Sequence, residues 1–168
     1  VTLKYQWLRH GSSISGATAA TYRLTAADAG ERVSVKVTGS KTGHTTASKT
    51  STEKAVPLQA LTATPAPTVS GTAKVGQTLT AKAGSWAPSP VTLTYQWLRN
   101  GVTIGGATSN TYKLTVADAG KNVSVRVTGS KGTFVDVNKT SAAKAVPMLQ
   151  LSATPTPPSL AVSKSVRR

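Results

Sequence analysis

The chain repeats itself, without a gap, ninety residues along. Val1–Arg9 returns as Val91–Arg99 with one change, Lys4 to Thr94. Leu24-Thr25-Ala26-Ala27-Asp28-Ala29-Gly30 returns as Leu114-Thr115-Val116-Ala117-Asp118-Ala119-Gly120, and Val33–Ser40 returns as Val123–Ser130. About 40 of the 65 positions compared between residues 1–65 and 91–155 are identical. A repeat of this length means an array of similar domains, each closing a core of its own. The match fades after Pro155.

The phase of the repeat sets the expected organisation. Residues 65–90 precede the Tyr-Gln-Trp block of the second copy, and nothing in the sequence plays that part for the first. The expected units are a partial one over 1–64, lacking its opening strands, and a complete one over 65–148. A proline-containing linker and basic tail follow over 149–168. Thr62-Ala63-Thr64-Pro65-Ala66-Pro67 and Thr154-Pro155-Thr156-Pro157-Pro158 read as stiff connectors, because proline favours extended backbone. Val1 is no initiator methionine and no signal or transit peptide is visible, so the chain reads as a segment of something larger.

Composition points to β structure. Thr, Ser, Ala, Val and Gly dominate, with only 5% aromatic and 15% charged residues. Val and Thr lose side-chain freedom on helices and pack well on pleated sheets. In the complete copy, Leu93, Tyr95 and Trp97 fall on one face, with Thr94, Gln96 and Leu98 on the other. Asn100-Gly101 is a strong hairpin signal, since both residues tolerate positive φ. Val123, Val125 and Val127 alternate with Ser124, Arg126 and Thr128 as a half-buried strand should. Further strands are expected at 78–83, 111–114, 133–137 and 143–146. Short strands with turns every few residues predict antiparallel β-sandwiches in tandem. The expected core is Tyr5, Trp7, Tyr95, Trp97, Val123, Val125 and Val127.

These residues carry a resemblance. Tyr95-Gln96-Trp97, Ile104-Gly105-Gly106-Ala107-Thr108, Thr111-Tyr112-Lys113-Leu114-Thr115 and Ala117-Asp118-Ala119-Gly120 form a series with Val123-Ser124-Val125. Together with Val75-Gly76-Gln77-Thr78-Leu79, the series resembles the immunoglobulin-like repeats of secreted and cell-surface actinobacterial proteins. The resemblance implies an all-β, immunoglobulin-like sandwich, an extracellular or cell-surface location, and a spacer or adhesive role. Valines stand where the immunoglobulin tyrosine and cysteine would follow Asp118, so the resemblance implies no inter-sheet disulfide here.

Chemistry-bearing residues are few. There are no cysteines, two histidines and five acids. Asp28 and Asp118 hold the same repeat position at a corner between strands, where a carboxylate capping local amides is expected. Glu31, Glu53 and Asp136 have no acidic counterpart in the other copy, His10 is replaced by Asn100, and His44 by Phe134. Neither a Gly-x-Ser-x-Gly elbow nor a glycine-rich phosphate loop is present. The reading is a non-enzyme with no cofactor and no metal, and no apolar stretch long enough to span a membrane.

Binding is the remaining class. Trp86, in Gly84-Ser85-Trp86-Ala87-Pro88, has two readings: a ring stacking on a sugar, or one closing an end of the sandwich, the latter favoured. The net charge of +15 draws the chain toward polyanions, with Lys36 and Arg126 outward beside Gln6 and Gln96. Leu8 and Leu98 are expected on that same exposed face. A polysaccharide or anionic cell-wall polymer is therefore the alternative partner, as for an accessory module of a secreted hydrolase. No motif for specific nucleic-acid recognition accompanies the charge. A third reading is self-association, by strand exchange at the incomplete first unit, with Ser159–Val166 a candidate donor.

Overall fold

The structure, a computed structural model, describes residues 1–151. It is all-β, with antiparallel sheets and no α-helix among the described residues. The first copy contributes β1 (Thr2–Arg9), β2 (Ser12–Ser13), β3 (Arg32–Ser40), β4 (Ala47–Thr50) and β5 (Lys54–Ala55). They form one sheet in the order β2-β1-β3-β4, with β5 also on β3.

The second copy begins with β6 (Thr68–Ser70) and β7 (Thr78–Lys82) and continues through β8 (Thr92–Arg99) and β9 (Val102–Thr103). It then adds β10 (Thr111–Lys113), β11 (Asn122–Ser130), β12 (Val137–Thr140) and β13 (Lys144–Ala145). Strands β12-β11-β8-β9, with β13 on β11, repeat the first copy's sheet, and β10-β7-β6 make a second sheet.

The two long pairings share one register. Trp7 sits opposite Val35 on β1 and β3, and Trp97 opposite Val125 on β8 and β11. The short hairpins β1–β2 and β8–β9 close through two-residue turns in which both residues have positive φ: His10 and Gly11 at 46° and 73°, Asn100 and Gly101 at 47° and 80°. Such turns match the right-handed twist of the strands they join.

In the second copy Leu79 and Ala81 of β7 close onto Trp97, Leu114, Val123, Val125 and Val146. The Trp97 ring stacks on Tyr112 with centroids 5.6 Å apart, and its Nε1 donates to the Ser109 carbonyl at 2.9 Å. Full burial of one such apolar side chain stabilises by about 1.5–3 kcal/mol. A second cluster gathers Ala83, Trp86 and Val127. Of the expected core, Trp97 and the three valines are buried, whereas Tyr5, Trp7 and Tyr95 are half-buried.

Three expectations change. The strand expected at 133–137 begins instead at Val137, because Thr133 and Val135 bond to Gln59 from the segment before the unit. Leu8 and Leu98 are buried, not exposed. Each is flanked in the sheet on both sides, Leu8 by Ser13 and Ser34, Leu98 by Thr103 and Ser124. Thr62 and Ala63, at the head of the stretch read as a stiff connector, are bonded into the second copy, as is Gln59 just before it. Gln59 N donates to Thr133 O, Val135 N to Gln59 O, and Thr62 N to Ala87 O, while Ala63 and Ala87 exchange a pair of bonds. Ser159–Val166 lies outside the described residues.

Candidate functional site

The most elaborate polar arrangement is built twice. In each copy a 3-10 turn follows a threonine, Ala26–Asp28 after Thr25 and Val116–Asp118 after Thr115. The aspartate reaches back to cap it: Asp28 Oδ2 accepts from the Thr25 amide at 2.7 Å and its hydroxyl at 2.9 Å, and Asp118 does the same with Thr115. A tyrosine hydroxyl donates to the same oxygen at 3.0 Å, Tyr22 in one copy and Tyr112 in the other. From the long strand an arginine closes the set. Arg9 Nε and Nη2 donate to Asp28 Oδ1 at 2.9 and 2.7 Å, and Arg99 Nε donates to Asp118 Oδ1 at 2.7 Å.

Both carboxylates are fully buried, and each of their oxygens has a donor. Burial alone would push their pKa values up. The Thr25 amide, Arg9, the Thr25 hydroxyl and Tyr22 outweigh it and hold Asp28 down at about 2. Asp118 is likewise held below the ordinary carboxylate value by Arg99 and Thr115 against the cost of burial. Both arginines are pushed up, first by their hydrogen bond to the aspartate. Burial, then the bond to Asp118, also raises Tyr112. Neither carboxylate presents an exposed or unpartnered oxygen. The arrangement is a clamp that ties the corner before β3 or β11 to the end of β1 or β8. The corner cap was legible in the sequence. Its arginine, tyrosine and threonine partners were not singled out, although they recur 19, 6 and 3 residues from the aspartate in both copies.

The expected binding residues are dispersed. Gln6 lies opposite Lys36 and Gln96 opposite Arg126 across the paired strands. The glutamine amides face inward to backbone: Gln6 Nε2 donates to Ile14 O and Gln96 Nε2 to Ile104 O, both at 2.8 Å, pinning the loops after β2 and β9. Lys36 is exposed and Arg126 half-buried. Trp86 is only 8% exposed, packed on Ala83 and Val127, and its Nε1 donates to Ala83 O at 3.1 Å. The ring is therefore inside, as the second of its two readings has it, and presents no open stacking face.

Two lysines of the second copy hold backbone carbonyls. Lys131 Nζ donates to Pro88 O at 2.8 Å and Ser89 O at 3.1 Å, and Lys144 Nζ to Gly71 O at 3.0 Å. Their first-copy counterparts, Lys41 and Lys54, are exposed. No helix of the described residues is long and apolar enough to cross a membrane. Compared with known proteins, the chain matches no family model and no curated relative.

Proposed function

We propose that the chain is a tandem of immunoglobulin-like modules, serving as a non-catalytic spacer and adhesive element of an extracellular or cell-surface protein. The observation that carries this reading is the doubled clamp. The two fully buried carboxylates, the groups best suited to acid–base chemistry, are both spent on holding a corner of the fold. Identical use at matched positions supports selection for a copied scaffold over selection for a reaction centre. The short join between the copies supports the spacer part of the reading. Val56 is bonded to Gly30 and Glu31 of the first copy, and Gln59 is already bonded to the second.

A second reading, recognition of an anionic wall polymer, is favoured by the exposed cations Lys36, Lys41 and Lys54 on a chain of net charge +15. The burial of Trp86 shifts any such binding from sugar stacking to electrostatics. One experiment separates the readings: retention on insoluble polysaccharides and purified Gram-positive cell walls at low and high salt. The spacer reading expects none at either. Retention that vanishes with salt installs the polymer reading, and salt-resistant retention overturns both.

A further inference from the structure

Of the eight cations in residues 1–65, six are matched by a cation ninety residues on. The two that are not are Lys4, replaced by Thr94, and Arg32, replaced by Asn122. Both project from the same side of the first sheet. On β1 and β3, Trp7, Val33 and Val35 turn inward, where they line an open cleft with Leu24. Successive residues of a strand alternate sides, so Lys4, Arg32 and Lys36 turn outward. Lys4 stands opposite Thr38, and Lys36 opposite Gln6. All three cations are exposed.

This outer face carries charge of one sign. The outward positions of β1, β3 and β4 hold no acid. Among the described residues the ion pairs are Arg9–Asp28, His10–Glu31 and Arg99–Asp118, so Lys4, Arg32 and Lys36 have no acidic partner there. Lys4 and Lys36 are diagonal neighbours across the pairing, roughly 7–8 Å apart at the backbone. Like charges so placed repel, and folding gains nothing from them. Nor does the face depend on what lies against the inner side. The second copy has Leu79 and Ala81 packed on its inner side, and outward Thr94 and Asn122 are exposed all the same.

We infer that the outer face of the first copy, built on Lys4, Arg32 and Lys36, is the surface that holds an anionic wall polymer, and that the matching face of the second copy is not. This rests on the wall-polymer reading and assigns it a place. An extended polymer with a negative charge on each repeat unit lies along β3. One charge meets Lys4 and Lys36 together. Another meets Arg32, four residues from Lys36 on the same strand and thus about 13 Å away. The exposed Thr50 opposite Lys36 adds a hydroxyl beside the charges. On the second copy only Arg126 remains at these positions, and it is half-buried. The two copies then divide the work: one fold, one basic face.

The test follows cosedimentation of the full chain with purified Gram-positive cell walls across a salt series. The paired change Lys4→Thr with Arg32→Asn installs the second copy's own residues, which the same strand register already accommodates, so the fold is kept. It is expected to weaken retention about tenfold at low salt and to make the slope of log affinity against log salt shallower by about 2. The control pair Lys49→Gln with Lys54→Gln removes the same charge from the other side of the sheet, opposite Val37 and Val33. It is expected to stay within about twofold of the unchanged chain. A loss in the control as large as in the first pair, or no loss in the first pair, overturns the face and leaves the wall-polymer reading standing. No retention of the unchanged chain overturns that reading and the face with it. So does retention undiminished on walls stripped of their anionic polymers by acid extraction.

Discussion

The ring of Trp86 occupies the space that a β-carbon on Gly129 would need. Gly129 lies on β11 opposite Leu93, so the glycine is what lets the indole lie against the strand. Its counterpart Gly39 has Leu3 and Val1 near that position, at an ordinary 3.5 and 3.8 Å. Gly129→Ala is therefore expected to destabilise the second copy by about 1–3 kcal/mol through overpacking, with Gly39→Ala close to neutral. Urea unfolding of the two variants, followed by circular dichroism, checks the contrast; equal costs would remove the steric account.

Leu24 and Leu114 are the same residue in two environments. Leu114→Ala is expected to cost about 2–5 kcal/mol, and Leu24→Ala under about 1 kcal/mol, since little burial is lost at an open cleft. Equal losses in denaturant titrations would show that the first copy is covered in solution.

Acid is expected to loosen the corners. The aspartate pKa values are depressed in the folded protein, to about 2 for Asp28. Their contribution is thus fully present above the unfolded value of about 3.9 and is lost as pH falls from there through the folded value. The urea midpoint should hold between about pH 7 and 5 and fall steeply below about pH 4. Asp118→Asn is expected to cost about 2 kcal/mol near neutrality, because it leaves Arg99 without its charged partner, and to flatten the acid limb. An unchanged acid limb in Asp118→Asn would assign that limb to other carboxylates.

The turn residue His10 has positive φ, where asparagine is better tolerated. In the second copy Asn100 Oδ1 also accepts from the Asn122 amide at 2.9 Å. His10→Asn is expected to stabilise the first copy by about 0.5 kcal/mol, by easing the turn and bonding the Arg32 amide in the same way. The exposed His10–Glu31 pair that it removes contributes little. A lowered unfolding midpoint would reverse that ranking.

How much of this was readable beforehand depended on whether the determining contact is local. The β8–β9 hairpin follows from the Asn100-Gly101 turn, and the buried face of β11 from the alternation of Val123, Val125 and Val127, both written within a few residues. The cap on Asp118 was equally visible, but Arg99 joins it from another strand, and only a pairing known in space brings the two together. Leu98 was misjudged because alternation gives the side of the sheet and not the depth of the neighbours beside it. The proline-containing stretch before β6 reads as a stiff connector by composition. Its hydrogen bonds to Ala87, and that of Gln59 to Thr133, depend on partners placed by the folded second copy. For Trp86 the interior reading was favoured without its partner, because its neighbour Gly129 is 43 residues away in sequence.

The join at Pro57-Leu58 has a mechanical consequence. Only these two residues lie between Val56, fastened to the first copy, and Gln59, fastened to the second. Proline fixes one of the few rotatable backbone angles left between those anchors. Torque applied to one unit is thus carried into the hydrogen bonds at Gln59, Thr62 and Ala63 before it can be dissipated by swivelling. A longer array with the same join would hand a twist of one unit on to the next through backbone hydrogen bonds.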